Sequence, residues 1–222
     1  MNRKKVILMV GLVIFICVVL FLGFTIRKMV ILNGLAKKVE TYAKSDNYYE
    51  KIVNESASTK TVTEYYCKGN NAVLFLNTTV KSTGQTRVLM NYYKGEKANS
   101  YFNVGEQKVA ILDSQGIGRS MIVALDYDDD LWLLFQMAAT MSIRTEEWND
   151  KECYVVTYGR GSNETVNYHE KETGLLIKAK EGTQTDENGN TSDCMVEYTY
   201  EFGNVQDSVF VEPDLAEYKI EE

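Results

Sequence analysis

Residues 167–182 read NYHEKETGLLIKAKEG, and the stretch holds His169, the one histidine of the chain. A histidine among carboxylates is either part of a catalytic site or the decorated end of a β-hairpin. A catalytic histidine needs a nucleophile or carboxylate held against it, whereas the residues here simply alternate. Val166 and Tyr168 fall on one face, and Thr165, Asn167 and His169 on the other. With the apolar pair toward the core, His169 is expected to face water. EKETG is then the turn, with Gly174 taking a positive φ, and Leu175–Glu181 is the returning strand. The stretch favours an antiparallel β-protein over a hydrolase.

Outward from this hairpin the same pattern repeats. Upstream, TVTEYYCKGNNAVLFLNTTV (61–80) gives two strands about Gly69-Asn70-Asn71, and 86–113 gives three more around Lys94-Gly95-Glu96 and Gly105-Glu106. Strands rich in tyrosine and valine, joined by short turns, describe a meander. After it, DYDDDLWLLFQMAATMSIR (126–144) predicts a helix whose apolar face is Leu131, Leu134, Phe135, Ala138 and Met141. Asp126, Asp128, Asp129 and Asp130 would cap its start; as a calcium loop the group lacks the further oxygen ligands that ion needs. ECYVVTYG, the hairpin above and CMVEYTYEFG complete the sheet, and 204–222 reads as a loop or short extension. The expected order is helix, about five strands, helix, about four strands, which makes an α+β fold of about nine strands.

The N-terminus is of another character. Val6–Ile26 is 21 residues without a charge, and as a helix it measures roughly 31 Å against a hydrocarbon core of about 30 Å. Arg3, Lys4 and Lys5 precede it and Arg27 and Lys28 follow. The short basic side is expected to stay cytoplasmic, with the rest outside the cell membrane as a single-pass protein. The run is longer than a signal-peptide core and no small-x-small cleavage site follows it, so it reads as an uncleaved anchor. This divides the chain into 1–28, cytoplasmic tip and anchor, and 29–222, an extracytoplasmic domain. Met29–Ser56 is expected to continue as helix, with Val30, Leu32 (or Ile31), Leu35, Val39 and Tyr42 and, after a break at Ser45-Asp46-Asn47, Tyr49, Ile52 and Val53 at near-helical spacing.

Several functions are excluded. A net charge of −7 and a pI near 5.0 argue against nucleic acid. Of four cysteines, Cys17 lies in the span, leaving Cys67, Cys153 and Cys194, an odd number with no CxxC pair. These are expected to be small buried hydrophobes rather than metal ligands. No G-x-S-x-G, H-E-x-x-H or dinucleotide loop is present, so no catalytic residue, metal or cofactor is expected. Fifteen tyrosines, many of them in strands, give the sheet a large amphipathic surface.

Three stretches carry a resemblance. The hairpin 167–182 is similar to a strand, a D-x-x-T-G-L-P turn and a lysine-bearing strand; Leu176 stands in the place of the proline. CMVEYTYEFGNVQDSVFVEPDL (194–215) and EWNDKECYVVTY (147–158) look like further strands of the same family. In this order of elements the chain resembles the LolA-like lipoprotein-carrier superfamily. The resemblance implies a curved antiparallel half-barrel wrapped on helices, with an apolar cavity for acyl chains. The expected lining is Leu131, Leu134, Phe135, Ala138 and Met141 on the helix, with Val88, Met90, Tyr92, Tyr198 and Tyr200 on the sheet. The function expected is an anchored, non-enzymatic binding protein for a lipid or lipoprotein. The alternative is an interaction or structural protein of the cell envelope, related to spore-envelope proteins, with a filled core and an envelope protein as partner.

Overall fold

The computed structural model describes residues 3–105, 107–116, 122, 131–186 and 189–221. Its first element, α1 (Arg3–Ala43), is one unbroken helix, about 61 Å long at 1.5 Å per residue. Its apolar part is long enough to cross a membrane and is bare along its length. The other end packs: Thr25, Leu32, Leu35 and Val39 are buried, at helical spacing.

Six strands follow as a meander: β1 (Asn47–Glu55), β2 (Thr59–Lys68), β3 (Asn71–Val80), β4 (Thr86–Lys94), β5 (Lys97–Val104) and β6 (Gln107–Gln115). A short α2 (Leu131–Thr140) leads to β7 (Ser142–Trp148), β8 (Lys151–Tyr158), β9 (Thr165–Glu170), β10 (Leu176–Thr185) and β11 (Thr191–Phe202). The tail ends in β12 (Lys219–Glu221). All twelve join in one curved, unclosed sheet, ordered β12-β6-β5-β4-β3-β2-β1-β11-β10-β9-β8-β7. Every pair is antiparallel except β12 on β6.

The α+β class and the N-terminal apolar helix agree with the sequence, but the strand count rises from about nine to twelve. Three segments account for the difference. Asn47–Glu55 is β1 and not a continuation of helix. It alternates, with Tyr48 and Glu50 turned inward, and the inward acid disguised the pattern. Likewise Ser142–Trp148 is β7, so the second helix stops at Thr140 rather than Arg144. Residues 219–221 join an edge that only the folded sheet creates. The proposed acidic cap at Asp126, Asp128, Asp129 and Asp130 lies outside the described residues.

Cross-strand register assigns two faces. The helix face carries Tyr48, Tyr65, Ala72 and Leu175 packed with Val39 and Ile122, and Val156 packed with Leu32, Leu134 and Ala138. The opposite face carries Val73, Tyr92, Tyr101 and Ala110, covered by Phe210 and Tyr218 of the tail. Residues 203–221 form a strap over that face. Val205 N–H donates to Asn47 Oδ1 (3.2 Å), Lys68 pairs with Asp207 (2.6 Å), and the Tyr101 hydroxyl and Asn99 amide both donate to Glu212 (2.5 and 2.8 Å). Lys108 pairs with Glu217 at 2.6 Å just before β12. Cys153 and Cys194 are buried, Cys67 is half-buried, and no disulfide forms among them.

The hairpin 167–182 forms, but with its faces reversed. His169 is 3% exposed and shares the helix face with Tyr154 and Asn167, the latter opposite Val156. Its Nδ1–H donates to the Gly174 carbonyl at 3.1 Å. Burial lowers its pKa, opposed by that hydrogen bond, so the ring is a neutral clasp on the turn. Tyr168 faces outward, under Lys178, whose ammonium lies 5.4 Å from the Tyr168 ring and 5.1 Å from Trp148.

The turn itself is pressed against α1. Gly174 has φ +77°, and a Cβ there would stand 2.8 Å from Leu35 O and 2.9 Å from Lys38 Cβ. Gly84, at φ +68°, has open space around it. Gly174→Ala is therefore expected to cost more than the about 1–3 kcal/mol of a left-handed alanine alone, and Gly84→Ala only that strain. Thermal melts of the two variants check this; equal losses would mean that the turn does not abut the helix.

Candidate functional site

Helix-face residues line up in three rows that cross the strands from β11 to β6. The first holds Phe202, Tyr48, Cys67, Ala72, Tyr93 and Ala98; the second Tyr200, Glu50, Tyr65, Leu74, Asn91, Ser100 and Ile111. The third holds Tyr198, Ile52, Thr63, Leu76, Leu89, Phe102 and Val109. Val39, Tyr42 and Ala43 of α1 close the first row. In the third row, Leu76, Leu89, Phe102 and Val109 stay half-exposed, an apolar strip of four adjacent strands measuring about 14 Å at 4.8 Å per strand.

Between the closed row and this strip lies Glu50, 1% exposed. Neither of its carboxylate oxygens finds a hydrogen-bond donor, and the Tyr65 hydroxyl, its neighbour on β2, is also unbonded. Its neighbour on β11 is Tyr200, whose hydroxyl donates elsewhere, to Leu176 O at 3.1 Å. Aromatic rings surround the carboxylate: Tyr48 and Tyr65 with centroids 5.7 Å apart, Tyr198 and Tyr200 stacked at 6.5 Å. Burial pushes the Glu50 pKa up to about 7, with Tyr200 opposing the shift. Burial likewise raises Tyr65 and Tyr200, and Tyr198 to about 12. A buried carboxylate without a partner is costly, and natural folds rarely keep one without use.

The sheet also splits beside this site. Pairing of β10 with β11 runs no further than Lys178 opposite Glu197, while β11 continues to Phe202. The split opens a cavity of about 510 Å³ lined by Tyr42, Leu175, Ile177, Tyr198, Tyr200 and Phe202, with Trp148, Lys151, Glu170 and Glu172 at its rim. Tyr198 and Tyr200 thus stand between the cavity on one side and Glu50 and Ile52 on the other.

The residues expected to line a cavity do not all converge. Tyr198 and Tyr200 lie on the helix face beside Glu50, as described. Leu134, Ala138 and Met141 pack against α1 and Val156. Val88, Met90 and Tyr92 point to the other face, where Tyr92 is buried and Met90 half-buried in the cluster that Phe210 and Tyr218 join. Leu131 is 73% exposed and Phe135 stacks on Trp132, itself 65% exposed. Sequence reasoning missed Glu50, whose signal was an acid at an inward position of an otherwise alternating segment. No group of His, Cys, Asp and Glu able to hold a metal occurs among the described residues.

No protein-family model matches the chain, and no curated protein sequence matches it. Solved structures are similar only in outline. An uncharacterised conserved protein from Thermus thermophilus aligns over 84% of this chain and 97% of that one, with 10% identity and a TM-score of 0.44. MucB in complex with MucA(peri) aligns over 82% of this chain with 15% identity and a TM-score of 0.37, and MucB alone with 16% and 0.35. This chain spans 57% and 61% of those two chains. Likeness at this level assigns neither family nor function.

The Glu50 environment has a measurable consequence. Unfolded, its carboxyl titrates near 4.5; folded, near 7. Between these values the folded state binds more protons, so stability falls as pH rises from 4.5 to 7, by a total of about 3 kcal/mol. Glu50→Gln removes this loss. The variant is expected to melt several degrees above the parent at about pH 8, with the gap closing near pH 4.5. A gap of the same size at both pH values would contradict the assignment.

Proposed function

We propose that this protein is a membrane-anchored, non-enzymatic binding module of LolA-like design, which holds the apolar part of an amphiphile on the helix face of its sheet. The observation that carries this reading is the half-exposed strip Leu76, Leu89, Phe102 and Val109. On the opposite face the tail joins Val73, Tyr92, Tyr101 and Ala110, which are buried, while on the helix face the four residues of the strip are only half-buried. A concave apolar surface with few polar groups is the usual form of a small-molecule site. The order of elements supports the LolA-like assignment: helix, meander, helix, second meander, in one unclosed sheet.

On this reading α1 spans the cell membrane at Val6–Ile26, with the N-terminus cytoplasmic and 29–222 outside. Membrane and domain are then close, because the same helix enters both. Lys28, two residues past the apolar run, donates to Met141 O at 2.6 Å, which pins the start of β7 near the membrane surface.

The envelope-partner reading rests on a different feature. Leu131, Trp132 and Leu133 form an exposed apolar end on α2, suited to another surface.

A diazirine-bearing long-chain alcohol, photolysed in membranes that contain the full chain, separates these readings. Label is expected in the β3–β5 peptides carrying Leu76, Leu89 and Phe102, and is expected to fall several-fold in Leu89→Glu. Label confined to the span Val6–Ile26 would contradict the binding-module reading.

A further inference from the structure

We propose that Glu50 is the head-group acceptor of this strip, and that the ligand is an amphiphile carrying a protonated amine. The inference rests on the binding-module reading and deepens it by naming the ligand's chemistry.

Three observations converge on Glu50. It is fully buried, yet neither oxygen has a well-formed hydrogen bond; the Tyr200 hydroxyl lies close enough to favour the charged form but donates to Leu176 O. Among the described residues no lysine or arginine lies in its row or in the rows to either side, so these rows supply no counter-charge. Aromatic rings flank it: Tyr65 and Tyr200 across the strands, and Tyr48 two residues back on its own. A carboxylate within a ring of aromatic faces is the usual recognition chemistry of an organic ammonium, which gains a charge-assisted hydrogen bond and cation–π contact together.

Position supplies the rest. Ile52, the next inward residue of β1, begins the third row, which runs on through Thr63 to Leu76, Leu89 and Phe102. An amphiphile with its ammonium on Glu50 therefore has its tail directed along the apolar strip. The entrance is beside Ile52 and Tyr198, both half-buried, where Glu50 is nearest the open part of the face. A fatty acid would place a second carboxylate against the first, and an alcohol would leave the charge of Glu50 unmatched. The same feature explains why a destabilising residue is kept: the charge that weakens the empty fold is neutralised by the ligand.

The test uses the full chain in dodecyl maltoside micelles, which contain no amine, at about pH 8. There Glu50 is largely ionised, while Tyr65, Tyr198 and Tyr200 are neutral. Octylamine, octanol and octanoate are titrated calorimetrically against matched empty micelles. Octylamine is expected to bind at least about ten-fold more tightly than octanol, the worth of one charge-assisted hydrogen bond, with octanoate weakest. In Glu50→Gln the preference for amine over alcohol should fall to within about two-fold. Equal binding of amine and alcohol by the parent chain, or an amine preference that survives in Glu50→Gln, overturns the head-group assignment but leaves the apolar strip standing. Binding of none of the three overturns the binding-module reading itself. Phosphatidylethanolamine added to the micelles should compete with octylamine if the amine belongs to a bilayer lipid, and leave it unaffected if the amine is a free solute.

Discussion

One helix does two jobs in this fold, and the packing of its second half decides the rest. Leu32, Leu35 and Val39 of α1 are buried against the sheet, each contributing about 1.5–3 kcal/mol. The apolar run and the core stripe belong to one hydrogen-bonded helix, Arg3–Ala43. The domain therefore has no hinge between itself and the apolar segment. The Gly174 turn abuts Leu35 and Lys38, and the β7 start is held at Lys28. Strands β7 to β10 are thus laid along the helix, with the Met141 end toward its apolar segment.

A single helix is too narrow to cover a sheet of twelve strands. It closes the row around Tyr48 and Ala72 and leaves the row around Leu89 half-open. On the other face the tail performs the equivalent closure, ion-paired at Lys68 and Lys108 and hydrogen-bonded at Tyr101. The difference between a face whose Val73, Tyr92, Tyr101 and Ala110 are buried and one whose Leu76, Leu89, Phe102 and Val109 are half-buried is the structural basis of the functional reading. Glu50 stands at the boundary, where the cover provided by α1 gives way to the open strip. Its burial without a partner is unfavourable in the empty protein and becomes favourable once a cation is bound.

Most of the fold was legible in the sequence, and its failures fall at informative places. The apolar span, the meander and the Gly174 turn follow from composition, alternation and turn chemistry. The β1 strand was hidden because Glu50 occupies a core position, while Tyr49, Ile52 and Val53 mimic helical spacing. His169 misled in the same way, since a polar residue on the inward face reversed the inferred sides of β9. The β7 strand offers only Ile143 as an inward aliphatic residue, with Thr145 and Glu147 on the same side. For β3, the run 72–76 is apolar throughout, which signals cover on both faces but not which face receives the helix. That ambiguity placed Val88, Met90 and Tyr92 in the expected cavity, when they lie on the side the tail covers. Two of these four misreadings are thus polar groups turned inward, and local rules tend to fail at sites kept for function.

The carboxyl titration of Glu50 tests the account most directly. With glutamate labelled by ¹³C at the carboxyl and Glu50→Gln used to assign the resonance, NMR of the full chain in micelles gives its midpoint. A midpoint near 7 in the unliganded protein, moving toward the ordinary carboxylate range when octylamine is added, is the predicted result. A midpoint near 4.5 in the unliganded protein would mean that Glu50 is already solvated or paired, and would contradict the account.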